Sequence, residues 1–174
     1  KWLITKVEKD EVIDQDVCYY LLYLLKSNKL NSLSVVNRDK LMQLYNQLLT
    51  IISEEILSSK INNRQSIDLS RIHQTLCLLN QNNIFPKERV KTYIDKIEII
   101  LKERQDIYGN WKNISETSEI TAMLLEIYEY RMKVADMNMI NDLITKGIEV
   151  LHSMYNSKNY MWSEDLGTTA KAMY

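Results

Sequence analysis

Tyr108-Gly109-Asn110-Trp111, a polar turn tipped with aromatic residues, leads into the apolar run Ile120-Thr121-Ala122-Met123-Leu124-Leu125. The pattern returns as Tyr160-Met161-Trp162 ahead of Thr168-Thr169-Ala170-Lys171-Ala172-Met173-Tyr174. With Thr121 and Thr169 as equivalent points the step is 169 − 121 = 48 residues, the length of one helical hairpin with its turns. A step of 121 − 75 = 46 back from Thr121 reaches Thr75, inside Ile72-His73-Gln74-Thr75-Leu76-Cys77-Leu78-Leu79. One more step back falls on Val17-Cys18-Tyr19-Tyr20-Leu21-Leu22, with Trp2 upstream and looser spacing. Tandem helix pairs are the architecture this spacing predicts.

Composition agrees. The 174 residues are 45% hydrophobic and 26% charged, ordinary for one folded domain spanning 1-174. With three Gly and one Pro there is little material for the tight turns that sheets and phosphate loops require, so the expected class is all-α. A net charge of −1, with both signs interleaved, gives no electrostatic footprint for nucleic acid or an anionic membrane. No apolar run reaches the roughly 18 to 20 residues that span a bilayer. The chain does not begin with Met, and after Thr168 an apolar helix starts without a terminating signal, so a piece of a longer protein is expected. Localisation stays open.

Apolar spacing of three and four predicts seven helices. The first runs from about Glu11 to Leu25. The second, from about Asn37 to Leu57, sets Leu41, Leu44, Leu48, Ile51, Ile52 and Ile56 on one stripe, away from Lys40, Gln43, Gln47 and Glu54. The third covers about Ile67 to Leu79. Pro86 opens a fourth to about Lys102, with Val90, Tyr93, Ile94, Ile97 and Leu101 on one face. The fifth covers Glu116 to Met132, capped by Ser115 or Thr117, and the sixth about Asn138 to Met154. A seventh begins near Leu166. Odd-numbered helices are apolar over a wide surface and even-numbered ones carry a single stripe, which predicts two layers of helices, inner and outer, curving into an arc or partial ring.

A Trp-containing turn ahead of a T-A-x-x-L helix, repeated at about fifty residues, resembles the α/α-toroid repeats of terpenoid cyclases, protein prenyltransferase β subunits and α-macroglobulin thioester domains. The resemblance covers about two thirds of the chain, most clearly from Asp106 onward; of the Gly-rich stretch those families place before the Trp, only Gly109 is present. In prenyltransferase β subunits a D-x-C pair and a later His hold zinc, and Asp16-Val17-Cys18 with His73 has that order. The resemblance thus implies a carboxylate, a thiolate and an imidazole around a metal with a fourth position for a substrate thiol. Ordinary helix interior accounts for the same residues, His73 and Cys77 being one turn apart and Cys18 and Cys77 small apolar fillers of helical runs. The expectation is therefore no cofactor, with zinc on Asp16, Cys18 and His73 as the set to test.

Other chemistries find no support. The D-x-D-D acid motif of hopene-type cyclases, the G-C-x-E-Q thioester and the Gly-rich His and Cys motifs of lanthionine cyclases are missing. So are the P-loop, G-x-G-x-x-G, H-E-x-x-H and G-x-S-x-G patterns. Glu54-Glu55 and Glu126 with Glu129 read as solvated helix faces. His152 has no partner in sequence. Asn113-Ile114-Ser115 is a glycosylation sequon, relevant only in a secreted eukaryotic protein. Eleven Tyr against one Phe is a skewed ratio, and Tyr and Trp bring an apolar body with a polar tip that suits recognition. Tyr108, Trp111, Tyr160 and Trp162 are accordingly the interaction-surface candidates, the alternative being that turn aromatics staple adjacent hairpins. The expected function is a noncatalytic helical-repeat domain binding a protein or peptide. The alternatives are part of a prenyltransferase or terpenoid cyclase-like enzyme, or a thioester-type domain of a macroglobulin-like protein.

Overall fold

The computed structural model describes residues 14–27, 35–81, 90–131 and 138–155. Within them every regular element is helical: α1 (Asp14–Lys26), α2 (Val35–Leu57), a 3-10 turn (Lys60–Asn63), α3 (Ser66–Gln81), α4 (Val90–Arg104), α5 (Ile114–Arg131) and α6 (Asn138–Ser153). The expected start of a fourth helix at Pro86, the seventh helix near Leu166, Trp2, Tyr160 and Trp162 lie outside the described residues. No described helix is long and apolar enough to cross a membrane.

Contacts gather the chain into two compact units, one of Lys1–Arg64 with Thr75–Ile94 and the other of Gln65–Gln74 with Asp95–Tyr174. In the first unit the stripe expected of α2 is realised: Leu41, Leu44, Leu48 and Ile52 are buried, while Ile51 and Ile56 are half-buried. Tyr45 joins that core fully enclosed, and burial, with Tyr93 nearby, pushes its hydroxyl up to about 12. α1 packs on α2 and buries Val17, Cys18, Leu21, Leu22 and Leu24, but Tyr19 and Tyr23, one turn apart, stand exposed, so α1 is not enclosed on all sides. After α2 the chain turns through Ser59 in the left-handed region (φ 58), and Ile61 plugs the core from the 3-10 turn. Arg64 clamps back on Glu55 with two parallel bonds, Nη2 to Oε1 at 2.6 Å and Nε to Oε2.

In the second unit α5 and α6 pack closely, and the reason is Gly147. A Cβ built there would sit 2.3 Å from Thr121 Oγ1, so only a hydrogen at that position lets the helices approach so near. α6 buries Ile140, Leu143, Ile144, Gly147 and Val150 along one stripe. α3 departs most from its sequence pattern. Along with Leu69, Ile72, Leu76 and Leu79 it buries Ser66, Ser70, His73, Gln74 and Thr75, a polar set inside a core. The buried residues described in α5, namely Thr117, Ser118, Ile120, Thr121, Leu124 and Ile127, each stand 48 positions after a buried residue of α3, namely Leu69, Ser70, Ile72, His73, Leu76 and Leu79.

Candidate functional site

The turn that leads into α5 is built by one carboxylate. Asp106 Oδ1 accepts the backbone N–H of Tyr108 (2.8 Å) and of Asn110 (2.9 Å), and Oδ2 accepts Asn110 Nδ2 (3.3 Å). The backbone closes the same ring, Asp106 N–H donating to the Asn110 carbonyl and Gly109 N–H to the Asp106 carbonyl. These donors favour the ionised carboxylate, so the Asn110 amide first, and Tyr108 and Gly109 with it, hold Asp106 below the usual carboxylate range. Gly109 adopts φ +100, and a Cβ there would meet the Lys146 carbonyl oxygen at 2.3 Å, so the position admits no side chain. Gln105 ties the turn to α6, its Nε2 donating to the Gly109 carbonyl (3.1 Å) and to the Leu143 carbonyl (3.0 Å).

Out of this fixed turn Ile107 and Tyr108 project, 87% and 72% exposed. Trp111, a surface candidate with the helix staple as its alternative, is 3% exposed and takes the staple's place. Its indole N–H donates to the Leu101 carbonyl at 2.9 Å, and its backbone N–H to Thr117 Oγ1 at 3.1 Å, joining the last turn of α4 to the first of α5. The large apolar ring can be buried because its one polar atom shares the Leu101 carbonyl, which also accepts the Gln105 backbone N–H at 3.1 Å. Lys112, next in line, has φ 151, a region L-residues rarely occupy. The cap of α5 is neither Ser115 nor Thr117 but Asn113, whose Oδ1 accepts the Glu116 N–H at 2.8 Å. Beside the turn opens a cleft of about 490 Å³ lined by Asp106, Asn110, Lys112, Asn113, Ile114, Ser115 and Met154.

A second polar cluster is interior. His73 Nε2 and Glu98 Oε1 lie 2.7 Å apart, with the two side chains 0% and 4% exposed. On the next residue Gln74 Nε2 donates to Glu126 Oε2 at 2.6 Å, so Glu126 is more than a solvated charge: it ties α5 to α3. Glu98 had one sequence signal, a lone carboxylate inside Ile97-Glu98-Ile99-Ile100-Leu101. Of the zinc set, His73 points its Nε2 at Glu98, Cys18 is a buried thiol of α1, and the side chain of Asp16 lies outside the described residues. Among the described residues no group of three or more His, Cys, Asp and Glu side chains gathers as a metal site would require. Cys77 is also a buried thiol, and His152 is exposed at the end of α6.

No protein-family model, curated protein or solved structure matches this chain at a significant level.

Proposed function

We propose that this chain is a helical-repeat domain of α/α-toroid type that captures a protein or peptide partner at the turn between α4 and α5. The observation that carries it is the pairing of a turn fixed by its own hydrogen bonds with two large apolar side chains, Ile107 and Tyr108, left in water. Ordering a loop on binding costs affinity, and a loop already ordered avoids that cost. Tyr is among the side chains that most often anchor an interface, and Ile107 beside it adds apolar area to bury. Met154, 44% exposed, adds apolar surface to the adjoining cleft, whose Lys112 and Asp106 provide one charge of each sign. The repeat is supported by the coincidence of buried positions at a step of 48 between α3 and α5, the step that also separates Thr121 from Thr169. That register makes His73, not Thr75, the counterpart of Thr121.

The test is a photo-crosslinking amino acid in place of Tyr108, irradiated in an extract of the source organism. A discrete crosslinked protein, lost when Ile107→Ser is added at unchanged thermal stability, is the expected result. No discrete product, or a product indifferent to Ile107→Ser, would overturn the proposal.

A further inference from the structure

The cleft beside the Asp106 turn is lined by two amide side chains that the turn and the α5 cap hold in place and leave half used. Asn110 spends its Nδ2 on Asp106 Oδ2 and keeps Oδ1, an acceptor with no hydrogen-bond partner among the described residues. Asn113 is its complement. Its Oδ1 takes the Glu116 N–H at 2.8 Å, and its Nδ2 is a donor with no hydrogen-bond partner among the described residues. Charge gives the cleft no preference between an acidic and a basic partner: Asp106 has both oxygens engaged in the turn, and Lys112 stands on the same lining. Ile114 and Met154 supply apolar surface in a volume of about 490 Å³, within the range of ligand-binding clefts.

We infer that this cleft takes an extended segment of a partner protein and reads it through its main chain, Asn110 Oδ1 accepting a peptide N–H and Asn113 Nδ2 donating to a peptide carbonyl. In an extended strand the N–H and C=O of one residue point to the same side, so an acceptor and a donor lining one cleft serve that residue as a neighbouring strand would. A partner helix has nothing to offer them along its length, because its own backbone groups are paired within it. Neither amide has to be ordered for the task, since each is already tethered through its other polar atom. Successive side chains of an extended segment point to opposite faces, so one falls on Ile114 and Met154 and its two neighbours point away. The segment recognised is therefore one with a central aliphatic residue and variable residues on either side.

Main-chain reading rests on capture at this turn, yet the two fail separately. Random linear peptides displayed on phage are selected on the full chain, and those recovered are resynthesised with one backbone nitrogen methylated at a time, which removes a single N–H. Each is titrated by fluorescence anisotropy into the parent, into Asn110→Ala and into Asn113→Asp, which keeps a capping oxygen for α5 and loses the donor. Methylation at one internal nitrogen is expected to weaken binding to the parent about tenfold and to weaken binding to Asn110→Ala no further. Asn113→Asp is expected to weaken the unmethylated peptides about five- to tenfold at unchanged thermal stability. Methylation that costs the same in the parent and in Asn110→Ala would overturn the inference, as would peptides indifferent to both variants or the recovery of no peptide. A Tyr108 crosslink that persists beside any of those three results would leave capture standing with a helix or a folded surface as the partner, so that only the main-chain reading falls.

Discussion

Trp111 concentrates in one side chain what holds the turn to its two helices. The ring is buried, the indole N–H ends on Leu101, and the backbone N–H ends on Thr117. Trp111→Phe keeps much of the apolar area but removes one of the two donors to the Leu101 carbonyl, leaving the Gln105 N–H, and empties part of the slot. We expect a loss of about 1–3 kcal/mol in urea unfolding at neutral pH. Lys112 tests the opposite direction. Its φ of 151 is tolerated well only by glycine, so Lys112→Gly should raise stability by about 1 kcal/mol in the same assay, and a decrease would show that the lysine side chain earns its strained backbone. The sequence marked Trp111 as important and left open whether it faced a partner or stapled adjacent helices; the structure shows the staple. Sequence spacing carries no information on whether a helix end lies near enough to receive the indole.

Among the described residues α5 and α6 pack closely, and a single glycine sets their approach. Gly147→Ala should cost about 1–3 kcal/mol, because the new methyl must displace Thr121 Oγ1 or push the helices apart. Thr121 Oγ1 is buried with no hydrogen-bond partner, so Thr121→Ala alone should cost little. The double variant Gly147→Ala/Thr121→Ala should then recover most of the loss, giving a coupling of at least about 1 kcal/mol in a double-mutant cycle. Additive effects would mean that the two residues do not meet. Apolar periodicity placed α2, α4 and α6 and much of their buried stripes correctly, since a 3.6-residue repeat is local information. It placed α3 as well, but did not show that His73 and Gln74 would be buried against polar partners on α4 and α5, while Ser70 is satisfied within its own helix by the Ser66 carbonyl.

At the scale of the whole molecule, two of the described groups link stability to pH from opposite sides. Asp106 is held below its ordinary range when folded, so its contribution is present above about pH 4 and is lost as pH falls through its folded value. Tyr45 is raised to about 12, so it favours the folded state below the ordinary tyrosine range near pH 10 and withdraws that support as pH rises through about 12. Thermal unfolding from pH 2 to 12 should show a plateau with two declining limbs. Asp106→Asn should make the acid limb less steep, and Tyr45→Phe the alkaline one, each leaving the other limb unchanged. The sequence by itself determined the all-helical class, the polar turns and the apolar stripes, because helix propensity, scarcity of Gly and Pro, and apolar spacing act over a few residues at a time. Only the tertiary structure decided that Trp111 goes inside while Ile107 and Tyr108 stay out, that Gly147 receives Thr121, and that His73 finds Glu98. Those outcomes depend on groups 10 to 26 positions apart meeting in space, and the free energy of burying a polar atom is set by the partner it meets there.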